Sequence, residues 1–152
     1  MTATAHALIG GAIASGVSNQ PLGIALSFAS HPLADLIPHW DFGWGWRKKS
    51  KLKLFLESAF DLGLGLFLSY FIFGINTDFK YFLACVFVSE VWDIMEAPYW
   101  LFNLKIPPFS WMYNIQHNLQ GKAVLPWGIV TQVSTLVILV LLLQAVHPLL
   151  NS

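Results

Sequence analysis

The stretch LFLESAFDLGLGLFLSYFIFGI, residues 54–75, decides the fold class. As a helix rising about 1.5 Å per residue it is long enough to cross the roughly 30 Å hydrocarbon core of a bilayer. Only Glu57 and Asp61, both near its start, interrupt the apolar run. A second run, residues 123–146, carries no charged residue after Lys122. The composition agrees: 56% of the chain is hydrophobic, 11% is charged and the mean hydropathy is +0.61, whereas about a quarter of a soluble domain is charged. The sequence therefore reads as an all-α integral membrane protein. It forms a single domain over residues 1–152, a bundle of four to five hydrophobic helices with an interfacial helix.

Outward from the deciding run, the pattern predicts helices over residues 3–17, 22–37 (after a turn at Asn19-Gln20-Pro21), 54–75, 81–104 and 123–146. The first holds Gly10, Gly11, Ala12, Ala14, Ser15 and Gly16, small residues that let helix backbones approach closely in lipid, so it is expected inside the bundle. Gly63 and Gly65 read as packing residues too, since no strand or phosphate-binding loop surrounds them. The second helix stops at Pro38, which cannot continue the hydrogen-bond ladder, and Pro98 is expected to kink the fourth. Residues 107–120, with two prolines followed by Trp111, Met112 and Tyr113, predict an interfacial loop and short helix. No basic leader precedes the first helix, which is expected to remain uncleaved. The lone Cys85 forms no intramolecular disulfide and reads as apolar filler.

Trp40, Trp44 and Trp46 followed by Arg47, Lys48, Lys49, Lys51 and Lys53 read as an aromatic belt beside a cytoplasmic loop. With the N-terminus inside, Lys105 and Lys122 join that loop and only Lys80 lies outside. A multi-pass protein of the cell (inner) membrane is expected, with membrane lipid as its partner. Nucleic acid is excluded, because the net charge is zero and no basic face interleaved with aromatics occurs.

This topology gathers ionisable residues at the cytoplasmic ends of their segments. His31-Pro-Leu-Ala-Asp35-Leu-Ile-Pro-His39-Trp-Asp41 is the most specific local pattern: His31 and Asp35, four apart, project from one helix face and can share a metal. His39 and Asp41 follow the helix-ending proline and can fold back towards the same ion. Imidazole with carboxylate favours zinc, with manganese or iron chemically feasible. The plainer alternative is a helix end decorated with polar residues. Asp61 has no basic neighbour in its helix, whereas Glu57 pairs with Lys53. Glu90 and Asp93 present two acids together in an apolar helix, which calls for a shared cation or proton. Glu96 lies nearer the interface, where solvation explains it equally well. His6 and His117 are each a weak signal alone, but the topology brings both towards the His31 motif. His147 falls at the opposite face and is left out of the set.

Thr4-Ala-His6 with its following glycines, and Ser30-His31 through Asp35, Pro38, His39 and Asp41, resemble the YdjM-like membrane-bound metal-dependent hydrolases, a group similar to zinc-dependent phospholipases C. The likeness covers about the first quarter of the chain. Ser89-Glu90-Val-Trp-Asp93 has a glutamate where that group tends to place a histidine, and residues 46–50 lack its histidine-bearing loop element. The resemblance implies a zinc-type hydrolase of an ester or phosphoester, with a lipid head group as the natural substrate at this depth. The expected metal ligands are His31, Asp35, His39 and Asp41. Asp61, Asp93, His6 and His117 would complete or support a second metal, and Glu90 would act as general base. The rival readings are a small ion, proton or metal pathway component and a non-catalytic membrane scaffold.

Overall fold

A computed structural model of the chain describes residues 1–150, with side chains through residue 146; the side chain of His147 lies outside the described residues. Six α-helices follow in order: α1 (Ala3–Gly16), α2 (Gln20–Asp35), α3 (Lys51–Ser69), α4 (Phe79–Leu101), α5 (Phe109–Leu119) and α6 (Trp127–Leu150). Among the described residues there is no strand. α3 runs on into one π-helical turn, Tyr70–Gly74, and this continuous helix and α6 are each long and apolar enough to cross a membrane. α5 falls within the predicted interfacial segment, so the expected helices are present with shifted ends.

Those shifts have local causes. The hydroxyl of Ser50 accepts from the Lys53 N–H and starts α3 three residues before the apolar run, so Lys51 and Lys53 are helical. The Asp78 carboxylate does the same for Tyr81 and starts α4 at Phe79. Asn19 caps α2 by accepting from Leu22, with Pro21 in the first turn where its missing N–H costs nothing. Each cap satisfies one of the donors a helix start leaves unpaired.

α1 is the axis of the assembly. Every residue from Ala5 to Ala14 is buried, because α2, α3, α4 and α6 all pack on it. Close approach depends on its glycines and theirs. A Cβ on Gly10 would lie 3.0 Å from the Cys85 carbonyl of α4, and one on Gly65 would lie 2.7 Å from the Thr4 backbone. Gly65 is thus a packing residue as expected, whereas Gly63 faces open space.

Two ends can be distinguished from the contacts. At one, the Tyr81 hydroxyl donates to the Val17 carbonyl (2.7 Å) and Leu143 packs beside Gly16. At the other, Gln132 of α6 accepts from the Thr2 N–H (2.9 Å) and donates to the Trp40 carbonyl (2.9 Å). That second end gathers Met1, the close of α2, the segment from Leu36 to Ser50, the end of α4, α5 and the start of α6. All the basic residues except Lys80 lie in those segments, in the first turn of α3 (Lys51 and Lys53) or in the connections on either side of α5 (Lys105 and Lys122).

Candidate metal centre and its cavity

The His31 motif is built by a helix that a proline has not broken. Pro32 has no N–H for the Phe28 carbonyl one turn back, and the indole N–H of Trp92 in α4 donates to that carbonyl instead (3.2 Å). α2 therefore continues to Asp35, and His31 and Asp35 share a face. Pro38 then forces extended chain. The short segment beyond it is held by backbone bonds to residues 121–123: the Gly121 N–H donates to the Asp35 carbonyl (2.8 Å) and the Ala123 N–H to the His39 carbonyl (2.9 Å). Gly121 is required there, since a Cβ would come within 2.8 Å of the Leu36 carbonyl oxygen. This clamp fixes His39.

Three imidazoles and two carboxylates meet at this point. The Nε2 atom of His6 lies 3.2 Å from Asp35 Oδ1, and that of His39 lies 3.8 Å from the same oxygen. His31 Nε2 is 3.5 Å from Asp35 Oδ2 and 3.4 Å from Asp93 Oδ1. The Met1 ammonium also contacts Asp35 Oδ1. His6, His31, His39 and Asp35 are all buried to 1% exposure or less. Burial at that level demands compensation for each polar atom, yet His39 Nε2, Asp35 Oδ2 and His6 Nδ1 have no hydrogen-bond partner.

The outer ring nitrogens explain the inner ones. The Nδ1–H of His31 donates to the Ser89 carbonyl (2.5 Å) and that of His39 to the Ile37 carbonyl (2.8 Å). A carbonyl only accepts, so Nδ1 carries a proton in both rings, and in its neutral form each ring turns its Nε2 lone pair inward. Metal-ligating histidines are oriented in this way by their outer partners. Burial and the nearby Met1 ammonium also hold the His39 imidazole below its ordinary range, which keeps that lone pair free. The donor set fits a divalent transition metal: imidazoles and carboxylates converge on one place, and ligand atoms of His6, His31 and Asp93 lie within 4.8 Å of one another.

Beside the cluster lies a cavity of about 440 Å³, and Asp93 belongs to both. Asp41, Asp61, Glu90 and Glu96 also line it, as do Trp44, Trp46 and Trp100, with Arg47, Lys48 and Lys122 among its basic residues. Glu90 is buried, and its Oε1 has no partner. The Arg47 guanidinium donates to the Tyr113 hydroxyl (2.9 Å) and lies over the Trp46 ring, 4.8 Å from its centre. Among the described residues, Arg47, Lys48 and Lys122 form no ion pair with a carboxylate.

No family model matches the chain, and no curated protein or solved structure does either.

Of the residues selected from sequence, His6, His31, Asp35, His39 and Asp93 are brought together. Asp41 is not: its Oδ1 accepts from the Gly43 N–H (2.5 Å), and burial in the cavity wall pushes its carboxyl up to about 7. His117 is exposed, stacked on Tyr113 with ring centres 5.4 Å apart, and lines the cavity without reaching the cluster. Asp61 does a different job. Its carboxylate accepts from the Ala3 N–H (2.7 Å), the Thr4 N–H (3.1 Å) and the Thr4 hydroxyl (2.7 Å), so it neutralises the start of α1. Asp61→Ala should therefore destabilise the fold by about 2 kcal/mol or more, the scale of hydrogen bonds to a charged partner. Thermal unfolding in detergent would check this, and an unchanged midpoint would refute the capping role.

Two amide side chains escaped the sequence reading. Gln116 of α5 is buried; its Oε1 lies 3.3 Å from His31 Nε2 while its Nε2 donates to the Trp92 carbonyl (2.8 Å). Gln132, buried in α6, ties Thr2 to the Trp40 loop. An amide near the start of a charge-free apolar run was the available signal for Gln132. Gln116 carried none, because an amide in a polar segment reads as solvated.

Proposed function

We propose that this chain is a membrane-embedded, metal-dependent hydrolase of an ester or phosphoester, with a lipid head group as substrate at the cytoplasmic face. The observation that carries the reading is the inward orientation of the His31 and His39 Nε2 atoms. Both rings are locked by backbone carbonyls and directed at a carboxylate oxygen, beside a cavity large enough for a small head group. This is also the reading implied by the resemblance to the YdjM-like group.

Membrane embedding is supported by what the two long helices leave uncovered. In their most apolar stretches only 17% and 6% of residues are buried against the rest of the protein. The core helix of a soluble domain would be mostly buried, and an apolar surface of this extent calls for lipid or a partner. The gathering of all basic residues but Lys80 at the site end favours a cytoplasmic site.

A divalent transition metal bound at the cluster supplies Lewis acidity to a carbonyl or phosphoryl oxygen and lowers the pKa of water. The chain's own residues do the rest. Glu90 offers an unpartnered carboxylate oxygen at the cavity wall, where it receives a proton from the attacking water. Arg47, held in place by Tyr113 and Trp46, and Lys122, whose backbone pairs with His39, orient an anionic group. Trp44, Trp46 and Trp100 seat the cavity at head-group depth.

Purified protein should contain stoichiometric metal and turn over short-chain phospholipids in mixed micelles, with chelator stopping the reaction and added divalent metal restoring it. Protein without metal that is fully stable in chelator would sink the hydrolase reading. Ion flux in liposomes without lipid turnover would favour a pathway component instead.

A further inference from the structure

α5 turns one side to the cavity. Tyr113, His117 and the C-cap residue Gln120 line it at spacings of four and three, which share a helix side, and Gln116 on that side is buried against His31. The separation of His117 from the metal cluster frees it for another task. Its imidazole is held by its face, stacked on Tyr113 with planes 11° from parallel, and Tyr113 stacks with Tyr99 of α4, ring centres 4.0 Å apart. Neither ring nitrogen of His117 has a hydrogen-bond or ion-pair partner among the described residues. The Nδ1–H groups of His31 and His39, by contrast, are committed to backbone carbonyls. His117 lines the cavity and is exposed, so its nitrogens are open to a ligand on one side and to solvent on the other.

Tyr113 also carries Arg47, whose guanidinium donates to the tyrosine hydroxyl at 2.9 Å. One aromatic side chain therefore mounts both the cation that fits a phosphoryl group and a free imidazole. Glu90 comes to the same cavity from a different element, α4. Hydrolysis of a phosphoester needs two proton transfers. The attacking water loses a proton as its oxygen bonds to phosphorus, and the departing alkoxide gains one as its bond to phosphorus breaks. Glu90 receives the first. For the second, the arginine stays protonated, and the ammonium groups of Lys48 and Lys122 release a proton less readily at neutral pH than an imidazolium does.

Resting on the hydrolase reading above, we propose that His117 is the general acid that protonates the leaving oxygen. Protonated His117 donates to the alkoxide as the bond from phosphorus to that oxygen breaks. One water is consumed, and a diester yields an alcohol and a phosphate monoester. The neutral imidazole regains a proton from solvent on its exposed side, and Glu90 returns its own through the cavity, so the cycle closes with no other reactant. α5 thereby becomes part of the chemistry: Gln116 holds it against the cluster while His117, the next residue, serves the leaving group.

Two diesters of one head-group phosphate, an alkyl and a 4-nitrophenyl ester, test this in purified protein loaded with Zn²⁺. 4-Nitrophenolate leaves without a proton, so only the alkyl ester needs the acid. His117→Gln should slow release of the alkyl alcohol by about 10²–10⁴-fold, the usual contribution of a positioned acid, and leave release of 4-nitrophenol within a few-fold. Its zinc content should stay that of the unmodified protein. Tyr113→Phe, which keeps the stacked ring but removes the acceptor of Arg47, should slow both esters alike. Equal losses on the two esters in His117→Gln, or no loss on either, overturn the assignment and leave the hydrolase reading standing. Loss of zinc in that variant does the same, because it makes His117 a ligand. Failure of the unmodified protein to cleave either ester overturns the hydrolase reading itself.

Discussion

Asp35→Ala should abolish metal binding and hydrolysis together while the helices form normally. Asp35 is 1% exposed, and its two oxygens between them contact all three cluster imidazoles. Alanine leaves His6 and His39 without a carboxylate and His31 with Asp93 alone, in a buried site where water cannot take its place. Loss of an outer-sphere partner alone costs about 10–100-fold in metal affinity, so loss of this carboxylate should exceed about 100-fold. The backbone role of the residue survives, because the Gly121 N–H bonds to the Asp35 main-chain carbonyl rather than to the side chain. Metal content by mass spectrometry, read beside far-ultraviolet circular dichroism, checks both halves. Stoichiometric metal in the folded variant would remove Asp35 from the ligand set.

The part of this fold that sequence made legible is the part set by local chemistry. Apolar runs marked α3 and α6, and the glycine-rich composition of α1 marked the helix that others close upon. Long-range partners explain what was missed. Pro32 inside α2 looks like a helix breaker until Trp92, sixty residues later in the chain, supplies the missing donor to Phe28. Asp61 looks like a buried ligand until the start of α1 arrives and occupies both its oxygens. In each case the deciding partner lies far away along the chain, where spacing carries no information.

The site was legible to a similar depth. His31 and Asp35 follow from a four-residue spacing on one helix face. His39 joins them only because residues 121–123 clamp its strand-like segment. The same clamp leaves Asp41 two residues further on, in the cavity wall, where the turn to Gly43 uses one of its oxygens. The stacking of His6 on His31 is a packing outcome of two helices meeting at Gly10 and Ser89 through α4, and no one-dimensional pattern encodes it.

Glu90→Gln should separate binding from chemistry. Glutamine keeps the shape of the side chain but accepts no proton at working pH, so the variant removes proton transfer and little else. Glu90 lines the cavity without contacting any of the converging imidazoles, and full metal content is expected. Turnover should fall by about 10²–10⁴-fold, the usual contribution of a positioned general base. KM should change little, since the lost interaction belongs to the transition state rather than to ground-state binding. The acidic limb of the rate profile should go with it, because that limb reports protonation of the base. A variant that instead loses metal makes Glu90 a ligand, and one with undiminished turnover takes the base away from this carboxylate. Glu96, six residues on along α4 and lining the same cavity, supplies the control: Glu96→Gln should leave turnover within a few-fold of the unmodified protein, because the unpartnered buried oxygen is on Glu90.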